Sequence, residues 1–289
     1  MNMPNFLVIG AAKAGSSSLY NYLKQHPQIY VNPGKGTGFF SWEGEETDFK
    51  GPGDDQQLLI NNLEDYRSLF EGVSQDAIGE VCTDYIYGSQ DPERIYHHIP
   101  NAKLIAILRD PSDRGYSQFL GNYRDGIEPL TDFADALREE DARIANNWHY
   151  RWHYKQRGFY YAQLKRYFDR FDDRQIKVYL YEDYVDHPVN LIQDIFRFLE
   201  VDDTFIPDIS QRSNTAKVPK NKQLHQSLKK FRKLMPRGKR VVDYLINRNL
   251  YVSKPQLSPD IRQQLIQAYR EDILKLQGLI QCDLSKWLE

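Results

Sequence analysis

Short apolar runs recur along the chain and alternate with segments of helical periodicity. The runs are four to seven residues long and rich in β-branched and aromatic side chains, which is the pattern of buried strands. The predicted strands are Phe6–Ile9, Gln28–Val31, Ala77–Cys82, Lys103–Leu108 and Gln175–Tyr181. Because helical segments separate them, the alternation predicts βαβ units and a parallel sheet.

The segments between and after these strands place apolar residues three and four positions apart, as amphipathic helices do. The predicted helices include Leu58–Phe70, Phe133–Ala145, Arg157–Phe171, Leu191–Leu199 and Ile261–Leu279. No Gly/Ser/Pro-rich linker interrupts the 289 residues. We therefore expect an α/β fold in one domain spanning residues 1–289, with a central parallel sheet flanked by helices.

Composition narrows the range of partners. With 38 Lys+Arg against 40 Asp+Glu, the net charge of −2 gives no global attraction to nucleic acid or to an anionic membrane, so we expect neither as a partner. The two cysteines suit neither a disulfide framework nor a zinc site. The first strand begins only five residues from Met1, which leaves no space for a signal peptide, and we expect a soluble cytoplasmic protein.

The segment Phe6–Pro27 combines a strand, a glycine loop and a helix start. Gly10–Gly15 is a small-residue loop carrying one cation, Lys13, and Ser16–Ser18 supplies hydroxyls where the helix begins. Backbone N–H groups, the positive end of the helix dipole, the lysine and the serines can all face one phosphate. The loop departs from the nucleoside-triphosphatase pattern G-x-x-x-x-G-K-[ST], because its lysine lies inside the loop.

A second strand-to-helix turn carries a second set of anion ligands. The run Lys103–Leu108 is followed by Arg109-Asp110-Pro111, and Pro111 suits the first turn of a helix. Ser117 comes eight residues after Arg109, a spacing that allows both side chains to converge on one phosphate.

Together the two turns resemble the sulfotransferases that use 3′-phosphoadenosine 5′-phosphosulfate (PAPS). Lys13-Ala14-Gly15-Ser16-Ser17-Ser18 is similar to their 5′-phosphosulfate loop, and Arg109 with Ser117 to their 3′-phosphate motif. The resemblance covers nearly the whole chain. It implies a PAPS-binding loop like a P-loop, the product 3′,5′-bisphosphate (PAP), and no metal. The polar segment 210–222 resembles the loop that closes over the nucleotide, with Arg212, Lys217 and Lys220 as candidates to reach the 3′-phosphate.

The resemblance leaves the general base open. These sulfotransferases carry Lys-Glu-x-His-Phe-Phe where this chain has Lys35–Phe40, and in several branches that glutamate is the base. Lys35, Phe39 and Phe40 match, but Gly36 stands in place of the glutamate. Lys35 is predicted to be catalytic and Phe39 to contact the acceptor.

Carboxylates near the next strand could supply the missing base. Ligands of open α/β sheets lie beyond the carboxyl ends of strands, where Glu80 and Asp84 are expected. We predict Glu80 to be catalytic and Asp84 to bind the acceptor or take its proton. A helix cap or a structural ion pair is an equally good interpretation of these carboxylates.

The segment Asn147–Tyr154 is dense in aromatic residues. Its spacing predicts that His149 and His153 share a helical face, and no third ligand for a metal is evident. Trp148 and His149 are predicted to form part of the acceptor wall and His153 to be a candidate base. Core packing is the alternative for each histidine.

The predicted activity is transfer of the sulfuryl group from PAPS to a hydroxyl or amine by in-line displacement, with Lys13 stabilising the leaving oxygen. The predicted acceptor is a small molecule such as a specialised metabolite, with a glycan as the alternative. Two other interpretations stay open: a PAP-binding protein with impaired catalysis, because of Gly36, and a P-loop kinase, which would require magnesium.

Overall fold

The computed structural model describes residues 3–34, 36–56, 59–210, 217–221, 224–225, 227–228, 231, 239–252 and 256–289. Its main sheet has five parallel strands in the order β2-β3-β1-β4-β5. These strands are β1 (Phe6–Gly10), β2 (Ile29–Val31), β3 (Ala77–Val81), β4 (Lys103–Leu108) and β5 (Ile176–Leu180). The predicted fold class, a parallel sheet flanked by helices, is confirmed.

The central strands are hydrophobic because helices cover both faces of the sheet. Every residue of β1 and β3 is buried, while the edge strand β5 is only partly buried. Fully parallel sheets need this cover on both faces, which explains the continuous apolar runs of the sequence.

Twelve α-helices are described. They are α1 (Ser16–Leu23), α2 (Phe39–Trp42), α3 (Leu63–Ser68), α4 (Asp91–His98), α5 (Pro111–Arg124), α6 (Phe133–Arg138), α7 (Glu140–Ala145), α8 (Tyr160–Phe168), α9 (Tyr181–Asp186), α10 (Pro188–Leu199), α11 (Lys239–Arg248) and α12 (Pro259–Ile280). An antiparallel pair, β6 (Lys217–Pro219) and β7 (Leu250–Val252), lies outside the main sheet.

Three helix predictions differ from the structure. The helix predicted over Leu58–Phe70 begins only at Leu63, since Asn62 caps it by accepting a hydrogen bond from Asp65 N. The segment Phe133–Ala145 forms two helices that meet at Glu139. The first residues of Arg157–Phe171 belong to a 3-10 turn, and α8 follows it.

The order of the strands indicates at which edge of the sheet a ligand is expected to bind. From β1 the chain crosses to β2 and β3 on one side and then to β4 and β5 on the other, so the connections change direction beside β1. In open α/β sheets ligands bind beyond the carboxyl ends of the strands at such a point. The loop after β1, the turn after β3 and the start of α5 all meet there.

Candidate active site

The loop between β1 and α1 has a backbone that requires glycine at its end. Gly15 precedes α1 with φ +88°, in the left-handed region that favours glycine. A Cβ added to Gly15 would lie 2.7 Å from Cε1 of Tyr184, so the ring of α9 closes over the loop. The predicted order of strand, glycine loop and helix start is present.

Lys13 extends from this loop to the middle of α5. Its Nζ lies 3.2 Å from the position that a Cβ of Gly121 would occupy, so the glycine makes space for the ammonium group. Burial, together with the nearby positive charges of Arg124 and Arg109, lowers the pKa of Lys13 to about 8. A buried amine among arginines is electrostatically prepared for an anion.

Arg109 lies at the end of β4, directly beside the loop. Its Nη1 donates a hydrogen bond to the carbonyl oxygen of Lys13 at 3.2 Å, and its guanidinium lies 4.8 Å from the ring centre of Tyr181. The hydroxyl of Tyr160 donates to the Arg109 carbonyl at 3.0 Å. The Arg109 side chain is thus held by one backbone hydrogen bond and by the face of an aromatic ring. Neither contact uses all of the guanidinium N–H donors, so the remaining ones can bind an anion.

Ser117 lies on the same face of α5 as Gly121, one turn earlier, because residues four apart are neighbours on a helix surface. The structure therefore brings the loop Lys13–Ser18, Arg109 and Ser117 to one side of the sheet edge. Their binding of a phosphosulfate nucleotide stays a prediction.

The structure describes only part of the segment 210–222, which was predicted to supply further ligands of the 3′-phosphate. Lys220 is exposed, and its backbone N–H donates to Asn249 O at 2.7 Å. Lys217 begins β6, which packs beside α5. The Lys217 side chain, all of Arg212 and the predicted catalytic Lys35 lie outside the described residues.

Glu80 is not where the sequence predicted it. It lies inside β3 and is fully buried, since the strand continues to Val81. Its carboxylate accepts hydrogen bonds from Thr37 N at 2.9 Å, from Thr37 Oγ1 at 2.6 Å, and from the hydroxyls of Tyr66 and Tyr85, each at 2.9 Å. Burial raises the pKa of Glu80, and these hydrogen bonds oppose the rise. Glu80 therefore ties the segment after β2 to β3 and does not face an acceptor.

Phe39 is likewise a core residue. It is fully buried and stacks on Tyr66 with ring centres 4.2 Å apart, so the prediction that it contacts the acceptor is wrong. Gly36 nearby has φ +75°, and a Cβ there would meet no described atom within 4 Å. A glutamate at position 36 would have space but would occupy a strained backbone.

Asp84 is the carboxylate that the turn after β3 does present. Its side chain is 25% exposed and accepts a hydrogen bond from Nη2 of Arg157 at 2.7 Å, while the same nitrogen donates to Thr83 O at 2.9 Å. Burial alone would raise the pKa of Asp84, but the nearby positive charges, that of Arg157 first, together with the hydrogen bond from Arg157 outweigh burial, and the pKa is lowered. Asp84 is thus an ionised group at the edge of the sheet.

The two histidines do not share a helical face, because a 3-10 turn, Tyr150–Trp152, separates them. His153 Nδ1 is 2.9 Å from the hydroxyl of Tyr87, and its Nε2 is 3.2 Å from Trp148 O. Burial and the charge of Arg157 lower the pKa of His153 to about 4. With both nitrogens engaged, His153 is a poor candidate for the base.

His149 faces Asp84 from the other side. Its Nδ1 accepts a hydrogen bond from Arg151 N at 3.2 Å, so the neutral ring carries its proton on Nε2. This buried Nε2 has no hydrogen-bond partner among the described residues and lies 3.8 Å from the nearer oxygen of Asp84. Burial lowers the pKa of His149.

Trp148 turns away from this group. Its ring packs 5.0 Å from Trp152 and 5.0 Å from the guanidinium of Arg143. It lines a separate depression of about 190 Å³ with Pro129 and Leu130. The predicted place of Trp148 in the acceptor wall stays a prediction, while its neighbour His149 lies beside Asp84.

Sequence reasoning gave no individual role to the residues that complete the acceptor side. Half-buried rings lie in contact around the Asp84 turn: Trp42 with Phe49 at 4.9 Å, Trp42 with Tyr150 at 5.1 Å, and Tyr87 with Tyr150 at 4.8 Å. We call these four rings the aromatic patch. Asp54 fixes the segment that carries Tyr150, because its carboxylate accepts hydrogen bonds from the backbone N–H of His149 and the indole N–H of Trp152. The sequence indicated this side only through the aromatic character of the loops 41–55 and 121–157, which contain Trp42, Phe49 and Tyr150.

Within the described residues, no group of His, Cys, Asp and Glu side chains could hold a metal ion. Nor does that part of the chain contain a helix with the length and apolar character of a membrane span.

Comparison with known proteins identifies the family of the chain. The profile described as "Sulfotransferase family" matches residues 4–205, which is more than half of the 289-residue chain. The chain therefore belongs to the sulfotransferase family. A sulfotransferase of known crystal structure from Alicyclobacillus acidocaldarius is 33% identical and superimposes with a TM-score of 0.81, each chain being covered over 100% of its length.

Two curated relatives match a shorter part. Membrane-associated sulfotransferase kil1 of Dictyostelium discoideum is 34% identical over 121 residues, 40% of this chain and 22% of that protein. The mouse bifunctional heparan sulfate N-deacetylase/N-sulfotransferase 4 is 34% identical over 118 residues, 41% of this chain and 13% of that protein. The chain thus spans less than a quarter of the length of either relative.

Proposed function

We propose that the chain is a PAPS-dependent sulfotransferase that transfers the sulfuryl group to a hydroxyl or amine of its acceptor. The observation that carries this proposal is the convergence of Lys13, Arg109 and the Ser117 face of α5 at one end of the parallel sheet. Two cations and a helix start at one edge suit a ligand with two separate phosphate groups.

The donor-side residues have distinct tasks. The loop N–H groups and the hydroxyls of Ser16–Ser18 hold the 5′-phosphosulfate, and Arg109 with Ser117 holds the 3′-phosphate. Lys13 stabilises the negative charge that grows on the bridging oxygen as its bond to sulfur breaks. The acceptor oxygen or nitrogen forms the new bond to sulfur, and its proton passes to a base.

We assign the base to Asp84. It is ionised and partly exposed, and it lies beside the aromatic patch, whereas Glu80 and His153 are buried and fully hydrogen-bonded. Arg157 holds its carboxylate in place by a hydrogen bond at 2.7 Å, and Nε2 of His149 lies 3.8 Å from it. The arrangement does not require a carboxylate at position 36.

The aromatic patch suits the face of a ring or a sugar, because aromatic side chains stack on flat apolar surfaces. A small molecule with such a face is our first candidate for the acceptor. A glycan is the second candidate, and the similarity to a heparan sulfate N-sulfotransferase favours it.

Calorimetric titration tests the donor site. PAP, ADP and ATP are titrated with and without magnesium into the native chain, Arg109→Ala and the control Arg174→Ala, whose guanidinium pairs with Asp172 in an exposed turn. We expect PAP to bind best without metal and Arg109→Ala to weaken it about 10- to 100-fold. Preference for ATP with magnesium would overturn the proposal in favour of phosphoryl transfer.

A transfer assay separates an enzyme from a PAP-binding protein. The native chain is incubated with labelled PAPS and panels of small hydroxylated or aminated acceptors and of glycans. Labelled product from one panel identifies the acceptor class. PAP binding without transfer to either panel would support the binding protein.

A further inference from the structure

Arg124 is the last residue of α5 and lies on the face of that helix that carries Ser117 and Gly121. Gly121 makes space for Nζ of Lys13, and residues three apart are neighbours on a helix surface. After burial, the positive charge of Arg124 lowers the pKa of Lys13 most. Arg124 therefore lies one turn beyond the point where Lys13 is proposed to stabilise the leaving oxygen, on the side away from Ser117.

The carboxyl end of α5 adjoins the acceptor side. A Cβ added to Gly53 would lie 3.1 Å from Cγ2 of Ile127, so the segment that follows α5 touches the loop that follows α2. From the last turns of α5, Nδ2 of Asn122 donates a hydrogen bond to the carbonyl oxygen of Arg151 at 3.1 Å. The helix end that carries Arg124 thus borders both segments of the acceptor side.

Arg124 has hydrogen-bond donors that the protein does not use. Its Nε donates to Oδ1 of Asp125 at 3.1 Å and its Nη2 to Oδ2 of the same carboxylate at 3.4 Å, which occupies one edge of the guanidinium. Nη1 forms no hydrogen bond with the described residues, and the side chain is 36% exposed. The second edge, formed by Nη1 and Nη2, can therefore bind a carboxylate through two parallel hydrogen bonds.

Arg151 presents a second guanidinium on this side. Its Nε is 3.7 Å from Oδ1 of Asp54, which is too long for a hydrogen bond, and its side chain is 28% exposed. Its positive charge contributes to the lowered pKa of Asp84. Lys13, at the leaving oxygen, and Asp84, the proposed base, thus each have a partly exposed arginine nearby.

The charges of the two arginines are balanced, because each has an aspartate beside it. An unbalanced basic surface would attract any polyanion, whereas what is left over here is a set of directional N–H donors. A planar carboxylate matches two parallel N–H donors of a guanidinium, and a hydroxyl or an amide oxygen cannot accept both in the same geometry. The arrangement favours a carboxylate over other acceptor groups.

We propose that the acceptor carries a carboxylate, which Arg124 and Arg151 bind while the hydroxyl or amine of the acceptor lies between Lys13 and Asp84. The two arginines determine specificity and take no part in the bonds that form and break. This inference rests on the proposed function, because it takes the acceptor side from it. It adds the substrate class, hydroxylated or aminated carboxylic acids.

Calorimetry on the PAP complex tests the proposal. The full chain, saturated with PAP, is titrated with matched probes that differ in charge: 4-hydroxyphenylacetate against its amide, and methyl glucuronide against its amide. In at least one pair, we expect the acid to bind about fivefold more tightly at low salt, with the preference declining as salt is added. The pair that shows the preference identifies an aromatic or a sugar acid. Equal or absent binding of acid and amide in both pairs would overturn the proposal.

Variants assign the preference to the two arginines. Arg124→Gln and Arg151→Gln should each reduce the ratio of acid to amide affinity, and the double variant should bring it close to one. The matched control is Arg138→Gln, because Arg138 is also the last residue of its helix, α6, and pairs with the nearby Asp135. It should keep the native ratio. A native ratio in the double variant would contradict the assignment.

PAP titration distinguishes this inference from the proposed function. A native chain that does not bind PAP contradicts the proposed function before any probe is added, whereas PAP binding without preference for either acid contradicts only the carboxylate site. Arg124→Gln should keep PAP affinity within about threefold of native, which also shows that the variant is folded. A loss as large as that expected for Arg109→Ala would place Arg124 in the donor site and overturn its role in acceptor binding.

Discussion

The two sides of the sheet edge are built differently. On the donor side, Lys13 and Arg109 are cations with no acidic side chain bonded to either of them in the described structure, and the pKa of Lys13 falls to about 8 through burial and nearby arginines. On the acceptor side, Asp84 already has Arg157 as a counter-charge at 2.7 Å. The donor side is therefore electrostatically incomplete until an anion binds, whereas the acceptor side is balanced by the protein itself.

This difference separates binding from catalysis. A site of unbalanced cations gains affinity from each phosphate it neutralises, so donor-side substitutions should change nucleotide binding and the transition state together. Asp84 already has Arg157 as its counter-charge, so it contributes little to the free energy of nucleotide binding. Acceptor-side substitutions should therefore leave PAP affinity unchanged.

The largest expected effect is that of Lys13→Met. This change removes the cation nearest the proposed leaving oxygen, and kcat should fall about 10³-fold, as when a key transition-state donor is removed. Steady-state transfer from PAPS measures it, with Lys24→Met, an exposed lysine after α1, as the control. A Lys13→Met enzyme with native kcat would show that the loop only positions the nucleotide.

Asp84→Asn should lower kcat about 10²-fold, because the amide cannot take the proton of the acceptor. Calorimetric PAP affinity should stay native, which distinguishes this variant from Lys13→Met. Asp48→Asn, an exposed loop carboxylate paired with Lys50, is the matched control. If Asp84→Asn weakens PAP binding as much as it lowers kcat, the two sides are not separable as described.

Glu80→Gln should act on stability and not on the chemical step. The carboxylate accepts four hydrogen bonds in the core, and an amide would turn one acceptor into a donor that faces other donors. We expect a loss of about 2 kcal/mol in the free energy of unfolding. Urea denaturation measures it against the exposed control Glu71→Gln, and kcat per folded molecule should stay within a few-fold of native.

The smallest effect expected is the pH dependence of PAP binding. Below the free-enzyme pKa of about 8, Lys13 is charged both free and bound; above it, binding must take up a proton. The association constant should therefore fall about fivefold between pH 8 and pH 9, since the phosphates of PAP are already ionised there.

Calorimetry at several pH values measures this slope and the proton uptake. Lys13→Arg should remove the dependence because arginine stays charged throughout this range. A slope that persists in Lys13→Arg would assign the titration to another group.

Local sequence determined the donor side. Strand, loop and helix start occur within Phe6–Leu23, and Arg109 and Ser117 lie within eight residues of each other, so spacing alone predicted that they would meet. Both units are βα turns, and parallel strands bring their carboxyl ends to one edge of the sheet. The fold class followed from the same alternation.

Only the tertiary structure decided the acceptor side. Asp84 is 73 residues from Arg157 in the chain, and nothing in the sequence shows that it meets Arg157 and His149. Glu80 and Asp84 are four residues apart and both acidic, yet one is a fully buried acceptor of four hydrogen bonds and the other a partly exposed carboxylate paired with Arg157. Burial and partners assign those roles, because a carboxylate's chemistry depends on its surroundings more than on its place in the chain.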